Sequence, residues 1–297
     1  KVESYIEIIL LGIIAGFVTR IIILKTDYRF YPGYPHGYVT HLSLGFIAAS
    51  IGAVAVPALV NKDFAAVTFL SMAAQQFRDI RNIERETLNK LEANELVGRG
   101  QDYIEGIASV FESRNYLVML ASLLVSTITY LTGYVGGIIS SLIAFFLANR
   151  LMKGETIQDI AIVQEAQLSF DGAFLKADEI IIMNIGLSKS REKILKEGLA
   201  VRIIPKNDNA RLTLHDVGQR QAIIHTAAVL LGTKKEIGEI EWTPLARKNI
   251  DTGDICIFII PNEPDIECLI EAVKKAPVLE SAKRKPLSTS IGRRAAD

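Results

Sequence analysis

The sequence predicts a helical membrane anchor of about five transmembrane segments joined to a cytoplasmic domain of mixed α+β or α/β class. Three observations carry this expectation. No charged side chain occurs from Asn115 to Asn149 or from Leu42 to Val60. Hydrophobic residues make up 49% of the 297-residue chain, and the mean hydropathy of +0.28 leans toward a membrane protein. After Arg150 the pattern changes to short β-rich runs alternating with helical ones.

A helix needs about 20 apolar residues to cross a hydrocarbon core about 30 Å thick. The 19 residues of Leu42–Val60 fit one crossing. The 35 residues of Asn115–Asn149 exceed one, and Thr132-Gly133-Tyr134-Val135-Gly136-Gly137 lies at their middle. This stretch reads as a helical hairpin over 116–149, although its short arms also suit a re-entrant pair. Tyr5–Leu24 is a further crossing, with Glu7 and Arg20 near its ends, where a long side chain can reach the headgroups. It lacks a small-residue cleavage site, and another span follows, so it is expected to be retained. Phe64–Ala74 is uncharged and leads to Gln75-Gln76; it either completes a short crossing or lies in the interface.

Loop charge sets the orientation. Arg78, Arg81, Arg85, Lys90, Arg99 and Arg114 fall between Phe77 and Asn115, and Lys25 and Arg29 follow the first span. The turn at 61–63 offers only Lys62, and the hairpin tip no basic residue. Basic loops stay cytoplasmic. Five crossings therefore put the N-terminus outside and the C-terminal half inside, provided that 64–76 crosses. The expected divisions are 1–76 (first membrane helices), 77–115 (cytoplasmic amphipathic helical segment), 116–149 (hairpin), 150–280 (cytoplasmic domain) and 281–297 (basic, disordered tail). Lys283, Arg284, Lys285, Arg293 and Arg294 in that tail could touch anionic lipid. The aromatics of the loop Tyr31–His41 suit an interfacial belt or contact with the domain.

Within 77–115, Tyr103, Ile104, Ile107, Ala108 and Phe111 keep helical spacing on one face, with Asp102, Glu105, Ser109, Glu112 and Ser113 opposite. The acidic polar face disfavours an anionic lipid surface, so the helix is expected to pack on protein. The stretch DYIEGIASVFESRNYL, Asp102–Leu117, resembles the signature for which the YIEGIA family is named, and MNIGLSKSR, GQRQAIIH and APVLESAKRKP extend the resemblance over most of the chain. The resemblance implies a multipass membrane protein of endospore-forming bacteria, a sporulation setting, a small regulatory partner protein and a link to proteolysis. It marks Tyr103, Ile104, Glu105, Gly106, Ile107 and Ala108 as the family motif and a candidate partner-binding segment.

In the polar half, Asp171-Gly172 between alternating apolar residues predicts a hairpin turn. The run 180–183, a helix from Ser188 to Gly198 and a strand 199–204 read as a β–α–β unit, right-handed if its strands pair in parallel. A helix over 215–231, ended by Gly232, places Val217, Ile224, Ala228 and Leu231 on one face. Strands over 237–242 and 255–260 and a helix bearing Ile266, Leu269, Ile270 and Val273 complete the domain.

The motif search narrows the chemistry. The sequence has no Walker A loop, no GxGxxG after a strand, no HExxH and no GxSxG. Charge is balanced at 33 basic against 33 acidic residues, so no global field recruits nucleic acid. Cys256 and Cys268 lack metal spacing and read as free thiols. His36, His41, His215 and His225 do not form a ligand set, and no metal or cofactor is expected. The spans also lack the buried charges that mark a transport site.

Two aspartates remain. Aspartic peptidases place an Asp before Ser/Thr and Gly on a tight turn, and two such carboxyls share one proton. Asp251-Thr252-Gly253 has this order, but Arg247-Lys248-Asn249 precedes it where a hydrophobic strand belongs. Asp171-Gly172 has the strand but lacks the hydroxyl residue. Each also reads as an ordinary β-turn. The expected function is a membrane-anchored, regulated protease acting at the cytoplasmic face through Asp171 and Asp251. The alternative is a non-catalytic scaffold recruiting a small partner. Membrane lipid, a protein partner or substrate, and a second copy of the chain are the expected associations.

Overall fold

The computed structural model describes residues 5–27, 35–92, 95, 97–151, 154–236, 239–240, 242–284 and 289–296. They divide into two compact units. One comprises 1–86 with 107–154, and the other 87–106 with 155–297.

The first unit is helical: α1 (Tyr5–Asp27), α2 (Pro35–Val60), α3 (Phe64–Gln75), most of α4 (Phe77–Glu92), α5 (Gln101–Thr132) from Ile107 onward, and α6 (Tyr134–Leu151). Three helices among the described residues, α1, α2 and α5, are long and apolar enough to cross a membrane. Gly133 turns the chain between α5 and α6 at φ +83°, a conformation that costs glycine little. The space of a Cβ at Gly137 is taken by Thr129 and Leu11. The 12-residue α3 has Asp63 accepting from the Ala66 N–H at 3.0 Å, and almost no break separates it from α4, since Ile80 N–H reaches back to Gln76.

Tight contacts rest on small residues. Gly12 and Gly16 of α1 face Ala53 and Ala49 of α2 and Ser126 and Ser122 of α5, and Gly52 lies against the Met119 carbonyl. Between apolar helices in lipid, such contacts replace the hydrophobic drive with close packing. Aromatic and polar groups tie one end together. Tyr5 donates to Asn61 Oδ1 at 3.1 Å and stacks on Tyr130 at 6.4 Å, and Tyr134 donates to Glu7. The arginines Arg78, Arg81 and Arg85 lie toward the other end. There Phe77 packs with Ala48 and Val118, and Arg81 pairs with Glu112 at 3.3 Å.

The second unit is α+β. Short α7 (Ile157–Ile160) leads into β1 (Ala161–Glu165), followed by β2 (Leu168–Asp171), β3 (Phe174–Ala177), β4 (Ile180–Asn184), α8 (Ser188–Glu197), β5 (Leu199–Pro205), α9 (Asp208–Leu214) and α10 (Val217–Leu231). Then come β6 (Lys235–Glu236), β7 (Glu239–Ile240), β8 (Leu245–Lys248), β9 (Ile255–Ile259), α11 (Ile266–Lys275) and α12 (Ser290–Ala296). Among the described residues every strand pair is antiparallel, in sheets ordered β1-β5-β9-β8, β2-β3-β4 and β6-β7. This removes the α/β alternative. The expected β–α–β unit is also corrected: β4 and β5 flank α8 but belong to different sheets. Residues 290–296 are helical where an unstructured tail was expected.

All five residues of β9 are buried. Ile255, Ile257 and Ile259 join a core with Ile223, Ala227, Leu269 and Val273 from α10 and α11. Cys256 and Phe258 join a second core with Leu175, Ile182 and Ile194. The four-stranded sheet is therefore a middle layer, with helices on one face and the three-stranded sheet and α8 on the other. The β2–β3 hairpin turns at Gly172, φ +62°, as expected from Asp-Gly. Leu187 occupies the N-cap of α8. Residues 237, 238 and 241 of the expected strand over 237–242, and 31–34 of the aromatic loop, lie outside the described residues.

The backbone contact at Gly52 predicts a selective effect. Gly52→Leu is expected to lower the melting temperature of the purified chain by several degrees, consistent with about 1–3 kcal/mol of overpacking. Leu131→Ala, at a side chain 72% exposed in the structure, is expected to change it little. Equal losses from the two variants in a detergent melting series would contradict the assigned packing.

Candidate functional site

The YIEGIA stretch sits where the division between the units falls within α5, between Gly106 and Ile107. A helix begins with four backbone N–H groups that have no partner within it. In α5, Gln221 of α10 supplies one, its Oε1 accepting from the Tyr103 N–H at 3.1 Å, and Gly100 O accepts from Ile104 N–H at 3.1 Å. Gln221 can come this close because Gly100, at φ +81°, has no Cβ; one there would fall 2.6 Å from the Gln221 amide. Gly218 gives the same clearance to the Asp102 carbonyl. The helix start is thus fitted to the first turns of α10.

Around it lies a buried cluster. Tyr103 is 2% exposed and meets the His225 ring edge-on at 6.3 Å. Glu92, at the end of α4, accepts from the Arg99 backbone N–H and pairs with its guanidinium at 2.7 Å. His225 Nδ1 donates to the Val97 carbonyl at 2.9 Å, with Glu95 at 3.6 Å. On the other side, Gln219 donates to Pro277 O at 2.9 Å and accepts from Leu279 N–H at 2.7 Å. These bonds pin the segment 276–281, whose Ser281 stands beside Gly106. Tyr103–Gly106 of the YIEGIA stretch therefore meets residues of GQRQAIIH and of APVLESAKRKP within one unit.

The predicted apolar face of the motif helix is buried: Tyr103, Ile104, Ile107, Ala108 and Phe111 are each at most 4% exposed. Gly106 is buried and Glu105 half-buried. The segment is not a separate surface helix but the beginning of a 32-residue one. The predicted acids lie elsewhere. Asp171 is on the hairpin rim with its side chain 71% exposed, and Lys176 pairs with it at 2.6 Å. That hydrogen bond holds the Asp171 carboxyl below its usual range. Asp251 is exposed in a turn built by Asn249, whose Oδ1 accepts from Asp251 N–H at 2.9 Å. Among the described residues no hydrogen bond or ion pair joins these two carboxylates. The acid that is buried in DTGD is Asp254, bound by Arg202, which also faces Asp178 at 3.6 Å.

A second polar centre lies in the helical unit. Arg20 is fully buried and its Nη2 donates to His41 Nδ1 at 2.8 Å. The ring of Phe111 meets His41 at 4.5 Å and lies 5.9 Å from the guanidinium carbon. Gly45, one turn beyond His41, leaves room for the Arg20 methylenes. The expectation that Arg20 reaches outward is corrected: it turns inward, because α2 offers both an acceptor and a groove. The expected lack of buried charge in the spans is corrected with it. The spacing of His41 and Gly45, on one face of α2, was the available signal. His215 and His225 do not share a helix, since His215 caps α9 and Asp216 begins α10. Cys256 and Cys268 are free, and burial pushes the Cys256 thiol up to about 12.

The fold and this site define a helical unit with membrane-spanning capacity joined, through one continuous helix, to an α+β domain. The chain belongs to the YIEGIA family: the family model described as YIEGIA protein matches residues 8–289. It is 43% identical over 284 residues to a Bacillus subtilis (strain 168) protein named "Uncharacterized protein YphB", covering 96% of each chain. No solved structure matches.

Burial pushes the His225 imidazole below its ordinary 6.5, against the opposing effect of the Val97 carbonyl. His215 is shifted in the same direction, also by burial. A depressed folded value means that the unfolded chain takes the proton first. This contribution to stability is complete above 6.5 and lost as pH falls through it toward the folded value. The melting temperature is expected to drop between about pH 7.5 and 5.5. His225→Asn, which can still donate to Val97, is expected to shrink that drop while His215 retains its share. An unchanged pH profile in the variant would separate His225 from the effect.

Proposed function

We propose that the protein is a membrane-anchored, non-catalytic regulator or scaffold that presents its α+β domain to a protein partner at the cytoplasmic face. The observation that carries this reading is the condition of the two acids. A peptidase dyad needs two carboxyls close enough to share a proton. Asp171 is instead an exposed carboxylate neutralised by Lys176, and Asp251 belongs to a separate turn. The recruiting surface in this reading is the outer face of the β2–β3–β4 sheet, where Phe174 and Ile181 are 47% and 51% exposed, together with Leu187 at the start of α8, 74% exposed. Aromatic and aliphatic side chains of this kind anchor protein interfaces. Gln221, His225 and Ser281 support a structural role for the family motif, at the root of α5, rather than direct partner contact.

The membrane reading uses all five apolar helices. In it, α3 and α6 cross with α1, α2 and α5, which leaves the Tyr5–Asn61–Tyr130 end outside and the arginine-rich end inside. The cell is an endospore former in its sporulation programme, a setting taken from the family resemblance and compatible with the Bacillus subtilis relative.

Quantitative proteomics of the sporulating host distinguishes the two functions. Asp171→Asn and Asp251→Asn are expected to behave like the intact chain at equal membrane levels. Phe174→Glu with Ile181→Glu is expected to reproduce the deletion strain and to abolish crosslinking to the partner. A normally expressed Asn variant that stabilises the same proteins as the deletion would overturn the scaffold reading in favour of proteolysis.

A further inference from the structure

We infer that the cavity at the C-terminal end of α10 binds a primary ammonium group carried next to a carbonyl, the chemistry of a polypeptide N-terminus or of a free aminoacyl amide. The cavity lies within the α+β unit and has a volume of about 330 Å³, at the small end of the range for ligand pockets. Its polar lining consists of the Glu95 carboxylate, the Thr233 hydroxyl and the Asn262 amide, and Val97, Ala228 and Val229 form an apolar wall.

Thr233 supplies the independent sign of a ligand. It is 4% exposed, lines the cavity, and its hydroxyl makes no hydrogen bond among the described residues. Asn262 is an exposed residue whose amide makes no hydrogen bond among the described residues, so it stands at the mouth of the cavity. Its position is set by Gly232, which has φ +69° and whose missing Cβ would lie 2.6 Å from Asn262 Nδ2. Any other residue at 232 would be strained and would displace the amide.

Charge selects the ligand. Among the described residues, Glu95 is the one acidic or basic side chain in the lining. Two basic groups face it, each held more closely by another acceptor: Arg99 lies 3.8 Å from Glu95 but 2.7 Å from Glu92, and His225 Nδ1 lies 3.6 Å from Glu95 but 2.9 Å from the Val97 carbonyl to which it donates. The carboxylate therefore draws a cation, whose three N–H bonds can be divided between Glu95 and the Thr233 oxygen. Asn262 both donates and accepts, which matches an adjoining peptide group. A small side chain fits the wall of Val97, Ala228 and Val229. This inference is independent of the scaffold reading, because it concerns a different face of the domain and holds for a regulator or an enzyme.

The test uses the full chain in nanodiscs and calorimetric titration with alanine amide, a free-amine hexapeptide beginning Ala-Ala, and its N-acetylated form. Both free-amine probes are expected to bind and the acetylated peptide to lose the interaction. Glu95→Gln is expected to weaken binding by about tenfold or more, the loss of one charge-assisted contact. Thr233→Val, close to isosteric, is expected to weaken it by about threefold or more, and it reads the site even if Glu95→Gln lowers the melting temperature. Tighter binding of the hexapeptide assigns the site to a chain N-terminus, and equal binding assigns it to small aminoacyl compounds. Acetylated peptide binding as well as the free amine, no binding of either free-amine probe at about 10 mM, or full affinity in a folded Thr233→Val variant would overturn the inference.

Discussion

The hydrogen bond from the Tyr103 N–H to Gln221 is the contact on which the domain's assembly turns. A helix start buried without partners for its N–H groups is unstable, so α5 can begin inside a folded domain only if that domain supplies acceptors. Gln221 does so from α10. The rest of the arrangement follows from the need to bring α10 near enough. Gly100 and Gly218 remove the side chains that would hold the helices apart. Gln219, one turn-face away, fastens 277–279, which brings Ser281 to Gly106. One such bond contributes only about 1 kcal/mol net. Its consequence is larger, because an uncapped, buried helix start would carry the full desolvation cost of the unpaired groups.

This explains why the motif is made of these residues. Tyr103 and Ile104 fill space beside His225 and the helix start, Gly106 admits Ser281, and Ile107 and Ala108 pass into the packing of the helical unit. Glu105 keeps a half-buried position on the polar side. A signature of this type looks like a recognition element in the sequence because it alternates acid, glycine and apolar residues. Its composition instead reflects one helix meeting two kinds of surroundings in succession.

Much of the element order was legible because it depends on short-range chemistry. Asp171-Gly172 marked its hairpin, Gly133 the turn of the apolar pair, and the 3.6-residue spacing of Tyr103–Phe111 the buried face. Pairing partners were not legible. The run Ile255–Ile259 is apolar on both faces, which suits a parallel strand between helices as well as it suits the middle layer it forms here. Leu199–Pro205 after a helix invited a parallel partner, yet antiparallel pairing with Ala161–Glu165 and Ile255–Ile259 decided its place. Long-range capping was likewise hidden, since nothing near Tyr103 announces an acceptor 118 residues away. The cavity at Thr233 was invisible for the same reason: its three polar groups come from loops far apart in the chain.

Arg20 shows how a single residue type can be misread when only its place along a helix is known. A long basic side chain near the end of an apolar run ordinarily reaches for water. Fifteen residues separate Arg20 from Tyr5, about 22 Å of helix, so the reach to an interface is short and snorkelling would be easy. The side chain turns inward nonetheless. Three features act together there: His41 offers an acceptor, Gly45 opens a groove for the methylenes, and Phe111 places an aromatic ring beside the cation. No one of them would offset the desolvation of a guanidinium, which is several kcal/mol even after relaxation. Their convergence from α2 and α5 onto one residue of α1 therefore argues that the position of these three helices is specified by a polar centre as well as by small-residue packing.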